Sequence, residues 1–204
     1  MIERAAARRK RVIKPAEERR ADLLDAAMAV FTEHGVADAT VKDITERADV
    51  AKGTFYLYFD AKDQVVAALW ERYVSRFLEL AEDLIGNRTP RDDWSSVLAA
   101  LVEELIDHAM GHANLHRIVY GSADAKALAL CWETNQQVIA LLAEAIQRGM
   151  TAGVLRPGDP EVLARVIYHG THGALHDAIS GTVQYGRDEV VRTVQDIIGQ
   201  VLTA

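Results

Sequence analysis

The sequence predicts an all-α protein, and three observations carry that prediction. Only 4 of the 204 residues are proline. Apolar residues recur at spacings of three and four along most of the chain, which is the period of an amphipathic helix. Strand-like alternation never extends beyond a few residues. A chain of this length is enough for one large domain, or for a small domain joined to a larger one.

The first predicted helix spans about residues 16–34 and ends at Gly35, because glycine commonly terminates helices. Its apolar face comprises Leu23, Leu24, Ala27, Val30 and Phe31. A short helix follows from Thr40, since the stretch TVKD has the pattern of a capping box in which Asp43 reaches back to Thr40. Ile44 and Ala48 form the buried side of this helix.

After a turn at ADVA, a third short helix is predicted over about Lys52–Tyr58. A long helix then begins with Asp60 as its N-cap and Asp63 three residues on, and runs to about Ile85. Two short helices joined by a turn, with longer helices before and after, indicate a helix-turn-helix. The remaining predicted helices span about residues 92–111, 114–121, 123–152, 159–180 and 187–203.

Charge is unevenly distributed along the chain. The net charge is −7, but residues 1–14 carry six basic side chains against the single acid Glu3. A basic arm on an acidic body indicates a local contact with a polyanion; the alternative is a disordered, solubilising leader. The lone Cys131 cannot form a disulfide within the chain, and we expect it to be a buried structural residue in a reducing compartment.

The start of the chain lacks the pattern of a secretory signal, and no apolar run approaches the roughly 20 residues that span a bilayer. We therefore expect a cytoplasmic protein. Glycine-rich phosphate loops, Gly-x-Ser-x-Gly elbows and His-Glu-x-x-His motifs are missing from the sequence. We expect no enzyme activity, no catalytic residue and no cofactor.

The stretch VAKGTFYLYFDAKD, residues 50–63, concentrates aromatic side chains around one lysine. Phe55 and Phe59 are four residues apart and form the buried face of the predicted helix. The first turn of a helix favours phosphate, and side-chain hydroxyls suit phosphate oxygens. The candidate donors here are Lys52, Thr54, Tyr56, Tyr58 and, in the following helix, Lys62. The alternative is that the tyrosines pack on the core with wet hydroxyls.

The segment ATVKDITERADVAKGTFYLYFDAKDQVVAAL resembles the N-terminal domain of TetR-family (tetracycline-repressor-like) transcriptional regulators. The resemblance covers residues 17 to about 70, and its spacing is specific. It implies that Thr40 and Lys42 approach DNA from the first short helix. It also implies that Lys52, Gly53, Thr54 and Leu57 face base edges or the groove wall, and that Tyr56, Tyr58 and Lys62 hold phosphates.

Three residues depart from the family pattern. Asp49 stands where glycine is usual, but aspartate tolerates the left-handed conformation of the turn. Ala51 replaces a serine N-cap, which weakens the start of the third helix by about 1 kcal/mol. Thr45 replaces alanine, a small change. None of the three removes an implied DNA contact.

The resemblance implies that the C-terminal body binds a small effector and forms a homodimer through its last two helices. Three domains follow: a flexible basic arm (1–15), a helix-turn-helix DNA-binding domain (16–61) and a helical effector-binding and dimerisation domain (62–204). The sequence supports dimerisation with a nearly uncharged stretch over residues 166–176 and an apolar stripe in the last helix. Gly170 and Gly173 would admit a close partner. The alternative is packing within one subunit.

Six of the seven histidines fall into two groups with helical spacing: His108, His112 and His116, and His169, His172 and His176. They are candidates for ordinary buried polar residues, for an effector pocket or for a transition-metal site. The candidate effector-binding residues are His108, His112, Tyr120, Trp132, Tyr168, His169, His172 and His176. We expect no bound metal.

The combined prediction is a homodimeric regulator that binds a pseudo-palindromic DNA operator and represses transcription until a small-molecule effector releases it. The alternatives are an activator, a metal-sensing regulator, or a helical metal-dependent enzyme built on the histidines.

Overall fold

The computed structural model describes residues 14–86, 88–89, 92–122 and 125–203. This part of the chain folds into helices joined by short turns, which confirms the all-α class. None of these described helices is long and apolar enough to cross a membrane. The α-helices are α1 (Ala16–Asp38), α2 (Val41–Arg47), α3 (Lys52–Phe55), α4 (Lys62–Ile85), α5 (Trp94–Gly111), α6 (Ala113–Ser122), α7 (Ala125–Thr151), α8 (Pro160–Ser180) and α9 (Arg187–Ile197).

The predicted basic arm, residues 1–15, lies outside the described residues except for Lys14 and Pro15. The Lys14 ammonium donates to the Asp22 carboxylate at 2.8 Å. The end of the arm, next to α1, is therefore held by an ion pair with that helix.

Regular helical geometry in α1 breaks at Gly35, as the sequence predicts. Gly35 adopts φ 75° and ψ 164°, a left-handed backbone conformation that glycine enters without steric cost. The helical turn beyond it, up to Asp38, leads directly into α2. Leu23, Leu24, Ala27 and Phe31 are buried on the inner face.

The capping box of α2 is present as predicted. The Thr40 hydroxyl accepts from the Asp43 backbone N–H at 3.2 Å, and the Asp43 carboxylate accepts from the Thr40 N–H at 2.8 Å. These two bonds satisfy N–H groups that the first helical turn leaves unpaired. Asp49 adopts φ 52° in the following turn, so aspartate takes the left-handed position as expected.

The third helix is shorter than predicted. Regular α3 ends at Phe55, and the chain then continues through turns, with the Phe59 N–H donating to the Phe55 carbonyl at 3.0 Å. Ala51 provides no side-chain cap at its start. A four-residue helix with an uncapped start presents a weaker dipole than the predicted seven-residue helix would.

The predicted N-cap of α4 was wrong by one residue. Ala61 is the N-cap, and Asp60 lies one position earlier. Asp60 is hydrogen-bonded to Gln64 instead, because its N–H donates to Oε1 and its carboxylate accepts from Nε2, each at 2.9 Å. The aspartate still fixes the start of α4, but it acts through a side chain rather than through the free N–H groups of the helix.

The body is a bundle in which α4 packs against α7, and α7 against α5 and α8. At Gly149 in α7 an added Cβ would lie 2.6 Å from a methyl of Leu155, so a larger residue would force these segments apart. α9 lies against α5, where Arg187 donates to Glu103 at 2.9 Å and to Asp107 at 2.7 Å. After α9 a π-helical turn (Ile198–Leu202) leads to Thr203, which pairs with Leu155.

Candidate nucleic-acid interface and ligand cavity

A reading face, defined here as Lys52, Gly53, Thr54, Tyr56 and Leu57, projects from α3 and the turn that follows it. Tyr56 is 50% exposed and Leu57 is 80% exposed, although Phe55, the last residue of α3, is fully buried. Lys52 and Gly53 are exposed, and Thr54 is half-buried. Adjacent large apolar side chains that are exposed in the free protein, such as Tyr56 and Leu57, indicate a surface that contacts a partner.

The buried anchors of the reading face are two phenylalanine rings. Phe55 and Phe59 lie 5.7 Å apart between centroids, and both are buried, as the sequence predicts. Tyr56 packs the edge of its ring on Phe55 at 5.4 Å and keeps half its surface in solvent. Tyr58 is half-buried against the core. The face is therefore rigidly mounted on the small domain.

Two candidates lie on α2 and its cap. Lys42 is exposed, and its ammonium lies 3.6 Å from the Glu46 carboxylate in a surface ion pair. Exposed pairs of this kind are weak, so Lys42 can exchange Glu46 for a phosphate. The Thr40 hydroxyl donates to Asp43 at 2.7 Å, and this bond lowers the pKa of the Asp43 carboxyl. Thr40 is thus exposed but committed to the cap.

Lys62 requires a correction. Its ammonium donates to three backbone carbonyls at the end of α1: Val36 at 2.6 Å, Ala37 at 3.2 Å and Ala39 at 2.5 Å. An ammonium has three N–H donors, so none is left for a phosphate. In this structure Lys62 joins α4 to the segment before α2, and we reassign it from DNA contact to structural support.

The histidines of the first group meet around Tyr73 of α4. His108 stacks on the Tyr73 ring with centroids 4.4 Å apart, and its Nε2–H donates to the Tyr73 carbonyl at 2.9 Å. His116 Nε2 lies 3.0 Å from the Tyr73 hydroxyl. His112, at the end of α5, is exposed and donates from Nδ1 to the His108 carbonyl at 2.8 Å.

The second group reaches the same cluster through α8. His172 packs against the Tyr120 ring at 4.6 Å and stacks on the Tyr168 ring at 5.7 Å. It also lies 5.6 Å from His116 between ring centroids. The Tyr120 hydroxyl accepts from the Asn135 amide at 3.3 Å, and the Asn135 oxygen accepts from the Trp70 indole at 2.7 Å.

An inner cavity lies inside this cluster, between α4, α5, α6, α7 and α8. Its volume of about 20 Å³ has room for about one water molecule. Its polar lining comes from Trp70, Tyr73, His116, Tyr168 and His172, and the rest of the lining is aliphatic or phenyl.

Two ring nitrogens of the cluster, His116 Nδ1 and His172 Nε2, are buried without a hydrogen-bond partner in the described part of the chain. Burial lowers the pKa of His116 to about 3 and that of His172 to about 4, so both rings are neutral near pH 7. An unpaired buried polar atom costs free energy. A ligand or a water with a polar group between these rings would remove that cost.

The remaining candidates lie at the edges of the cluster. Trp132 and His169 stack on each other with centroids 5.5 Å apart, and both are exposed, so they form a surface pair outside the cavity. His176 is half-buried, and its ring centroid lies 6.1 Å from that of Tyr120. Cys131 is buried as predicted, and burial raises the pKa of its thiol to about 12. Within the described residues, no three His, Cys, Asp or Glu side chains come together as a metal site.

Sequence reasoning missed three members of the cluster: Trp70, Tyr73 and Asn135. Trp70 and Tyr73 are three residues apart on α4, and that spacing was available as a signal. α5 ends at Gly111, where the helix breaks. The break places His116 on α6, which still points it at Tyr73.

Comparison with known proteins gives the same picture. Residues 23–69 match the family described as bacterial regulatory proteins, tetR family. Over 115 residues the chain is 30% identical to YvdT of Bacillus subtilis, an uncharacterized HTH-type transcriptional regulator. That match covers 56% of this chain and 58% of YvdT, so the chain aligns with little more than half of that relative.

Two solved structures extend the likeness over the body. SmeT, the repressor of the Stenotrophomonas maltophilia multidrug efflux pump SmeDEF, is 26% identical with a TM-score of 0.74, over 91% of this chain and 90% of SmeT. FadR of Bacillus subtilis in complex with stearoyl-CoA has the same fold, with 22% identity and a TM-score of 0.74 over 88% of this chain and 97% of FadR.

The family match falls on the segment that contains the capping box of α2, the left-handed turn at Asp49 and the exposed reading face. The structural match includes the helical body around the inner cavity. Residues 23–69 therefore match the tetR family of bacterial regulatory proteins, and the chain shares its fold with the repressor SmeT.

Proposed function

We propose that this protein is a transcriptional repressor that binds a pseudo-palindromic operator as a homodimer and leaves it when a small molecule enters the body. The observation that carries the DNA-binding part is the reading face, whose exposed side chains stand on two fully packed phenylalanines. SmeT, which shares the fold over nine-tenths of both chains, is a repressor. Operator DNA places such a protein in the cytoplasm, and we assign it no catalytic activity.

On the operator, α3 enters the major groove as in other helix-turn-helix proteins. Lys52, Gly53, Thr54 and Leu57 face base edges or the groove wall. Tyr56 and Tyr58 donate to phosphates, and Lys42 and the backbone around Thr40 contact the flanking strand. Phosphate contacts fix the register of the protein on the duplex, and contacts to base edges supply specificity.

Dimerisation is proposed at the groove between α8 and α9, called here the α8/α9 groove. It has a volume of about 470 Å³ and an apolar lining that includes Val166, Ile167, Val194 and Ile197. Val166 is 66% exposed and Ile197 is 45% exposed in the single chain. Gly170 also lines the groove, and a Cβ added there would meet no neighbouring atom within 4 Å, which leaves room for a partner helix.

The inner cavity is the proposed effector site. It offers apolar walls and the two unpaired ring nitrogens of His116 and His172, an arrangement typical of small-molecule pockets. Tyr120 and Tyr168 complete its aromatic surround, and the surface pair Trp132–His169 and His176 lie at its margin. Because the cavity holds only about one water, a larger effector must separate the surrounding helices. FadR, solved with stearoyl-CoA, has the same fold.

A displacement of these helices would be transmitted to the DNA-binding domain through α4 and α6. Both helices line the cavity, and both pack on α1. Two half-sites must be contacted together, so a small change in the separation of the two reading faces costs affinity. An effector acts in this way only if it binds the released conformation more tightly than the DNA-bound one.

The test is operator binding by two variants of the reading face. An operator is first obtained by selecting from random duplexes with the purified protein. Tyr56→Ala should weaken binding to all sequences by a similar factor, because a phosphate contact is lost. Lys52→Ala should cost about 1–3 kcal/mol and relax the base preference at its position. Both are read by fluorescence anisotropy.

The matched control is Lys126→Ala, which removes an exposed lysine of α7 that pairs with Asp63. It should bind the operator like the wild type, and circular dichroism should show all three variants folded. If folded Lys52→Ala and Tyr56→Ala proteins both bind like the wild type, the assignment of the reading face is wrong.

A further inference from the structure

An outer cleft lies between α1, α4, α5 and α6, on the other side of Tyr73 from the inner cavity. Its volume is about 590 Å³, and it is amphipathic. The apolar part of its lining is Met28, Leu69, Leu80 and Leu115, and the polar part is Asp25, Arg72, Tyr73, Arg76, His108 and His112. Two arginines against one aspartate give the cleft a positive balance in a protein whose net charge is −7.

The two arginines are held differently. Arg72 donates to the Asp25 carboxylate at 2.8 Å, in a pair whose side chains are 41% and 70% exposed. Arg76 is exposed and forms no ion pair with any described residue, although Glu71 and Glu79 line a neighbouring groove with it. One guanidinium is therefore available, and the other is engaged only by a weak surface pair.

The pKa of His108 reflects the same positive charge in the outer cleft. Burial lowers the pKa of His108, the hydrogen bond to the Tyr73 carbonyl opposes this, and the charges of His112 and Arg76 lower the pKa further. His112 donates Nδ1–H to the His108 carbonyl, so its Nε2 can donate to an acid only when the ring is protonated. Arg76 and Arg72 thus form a pair of guanidinium groups that suits a carboxylate or a phosphate.

Tyr73 is the wall between the outer cleft and the inner cavity, because its side chain lines both. The ring is held by the stack on His108 and by the contact of its hydroxyl with His116 Nε2 at 3.0 Å. If this ring rotates, the cleft opens directly onto the apolar interior. The two spaces then form one site with a cationic mouth and an apolar end.

We propose that the outer cleft binds the acidic group, a carboxylate or a phosphate, of an amphipathic effector whose apolar part passes Tyr73 into the inner cavity. The proposal rests on the effector-released function proposed above and specifies the chemical class of the effector. The acidic group competes with Asp25 for Arg72. Since Asp25 is on α1 and Arg72 on α4, this competition weakens the contact between α4 and α1, the first helix of the helix-turn-helix domain.

The test compares three probes that share one alkyl tail: decanoate, decyl phosphate and decan-1-ol. Titration calorimetry on the full-length protein should show at least one acid binding roughly ten- to hundredfold more tightly than the alcohol, since hydrogen bonds to charged groups contribute that much. The carboxylate and phosphate arms decide which acid the cleft prefers.

Three variants locate the effect. Arg76→Gln should reduce the affinity for the preferred acid about tenfold and leave the alcohol unchanged. Asp25→Asn should increase the affinity for the acid, because the internal competitor is removed. Arg88→Gln removes an exposed arginine beyond the end of α4, which donates to the Leu84 carbonyl, and serves as the control. It should bind the acid like the wild type.

The inference is wrong if the alcohol binds as tightly as the acids, if none of the three probes binds, or if Arg76→Gln leaves acid binding within about twofold of the wild type. Operator binding by the same preparations is measured in parallel. A protein that binds the operator but fails these titrations overturns the outer cleft alone, whereas a protein without operator binding overturns the proposed function.

Discussion

Tyr56 and Phe55 are adjacent in the chain and serve opposite purposes. Phe55 is fully buried and Tyr56 is half exposed, with its ring edge on Phe55 at 5.4 Å. The buried ring contributes the free energy that holds the turn, and the exposed ring carries a hydroxyl for a partner. Tyr73 combines both roles in one side chain. Its ring packs in the core, and its hydroxyl contacts His116.

Lys62 provides a residue-scale prediction. Lys62→Met should lower the free energy of unfolding by about 1–3 kcal/mol, because three carbonyls at the end of α1 lose a charged donor. Urea titration monitored by circular dichroism measures the change. Lys14→Met is the control, since the Lys14 ammonium engages Asp22 in a partly exposed pair worth at most about 1 kcal/mol.

The alternative role of Lys62 predicts the opposite pattern. A lysine that held phosphate would leave stability unchanged on substitution and reduce the salt dependence of operator binding, by about 0.9 in the slope for each lost contact. A Lys62→Met protein that is as stable as the wild type and has a reduced slope would support the DNA contact that the resemblance implies for Lys62.

At the scale of elements, α8 and α9 carry more apolar residues than packing within one chain buries. Their facing residues are packed, yet Val162 and Val166 of α8 remain more than half exposed and Ile197 of α9 nearly so. A second copy of the chain would cover them. The short α3 is a different case. It has four residues and no side-chain cap, so the packing of Phe55 and Phe59 holds it in place rather than helix propensity.

The prediction for α8 is that Val166→Glu yields a folded monomer. A charged side chain in the α8/α9 groove would be buried without a partner in the dimer, which costs several kcal/mol. Sedimentation velocity should show the monomer, and operator affinity should fall because two half-sites are no longer joined. Leu80→Glu, at an exposed apolar position of α4, should remain a dimer. A dimeric Val166→Glu protein would place the interface elsewhere.

At the scale of the whole molecule, four helices bring histidines and tyrosines into one buried cluster. The network runs from Trp70 through Asn135 to Tyr120, and from Tyr73 to His108 and His116. Such a network joins α4, α5, α6 and α7, so we expect a structural change at the cavity to shift all four helices. It also makes the stability of the protein depend on the protonation of its histidines.

The expected pH dependence follows from His116 and His172. Burial lowers the pKa of His116 to about 3 and of His172 to about 4, below the unfolded value of about 6.5. Between pH 6.5 and pH 4 the unfolded chain therefore binds more protons than the folded one. The free energy of unfolding should fall as pH decreases, by about 1 kcal/mol per pH unit for each histidine.

Urea titrations at pH 7, 6 and 5 measure this slope. His116→Gln removes one of three histidines whose pKa burial lowers, the others being His108 and His172, so its slope should be reduced by about a third to a half, whatever its stability at pH 7. His34→Gln, on the exposed end of α1, should retain the wild-type slope. An unchanged slope in His116→Gln would mean that this ring is not kept neutral by burial.

The sequence by itself determined the features that depend on neighbours within about four residues. The capping box at Thr40 and Asp43, the left-handed Gly35 and Asp49, and the Phe55–Phe59 pair are local, and they place the helix-turn-helix correctly. The boundaries of α3 and the cap of α4 were less accurate, because those ends depend on side-chain contacts as well as on propensity.

Only the tertiary structure decided what the polar side chains contact. Lys62 reaches carbonyls 23 to 26 residues away, Tyr73 meets His116 across 43 residues, and Trp70 meets Asn135 across 65. Helical spacing indicates which residues share a face, but not the angle at which two faces cross or which residues then meet. The inner cavity and the outer cleft exist only because those crossings bring α1 and the helices α4 to α8 together.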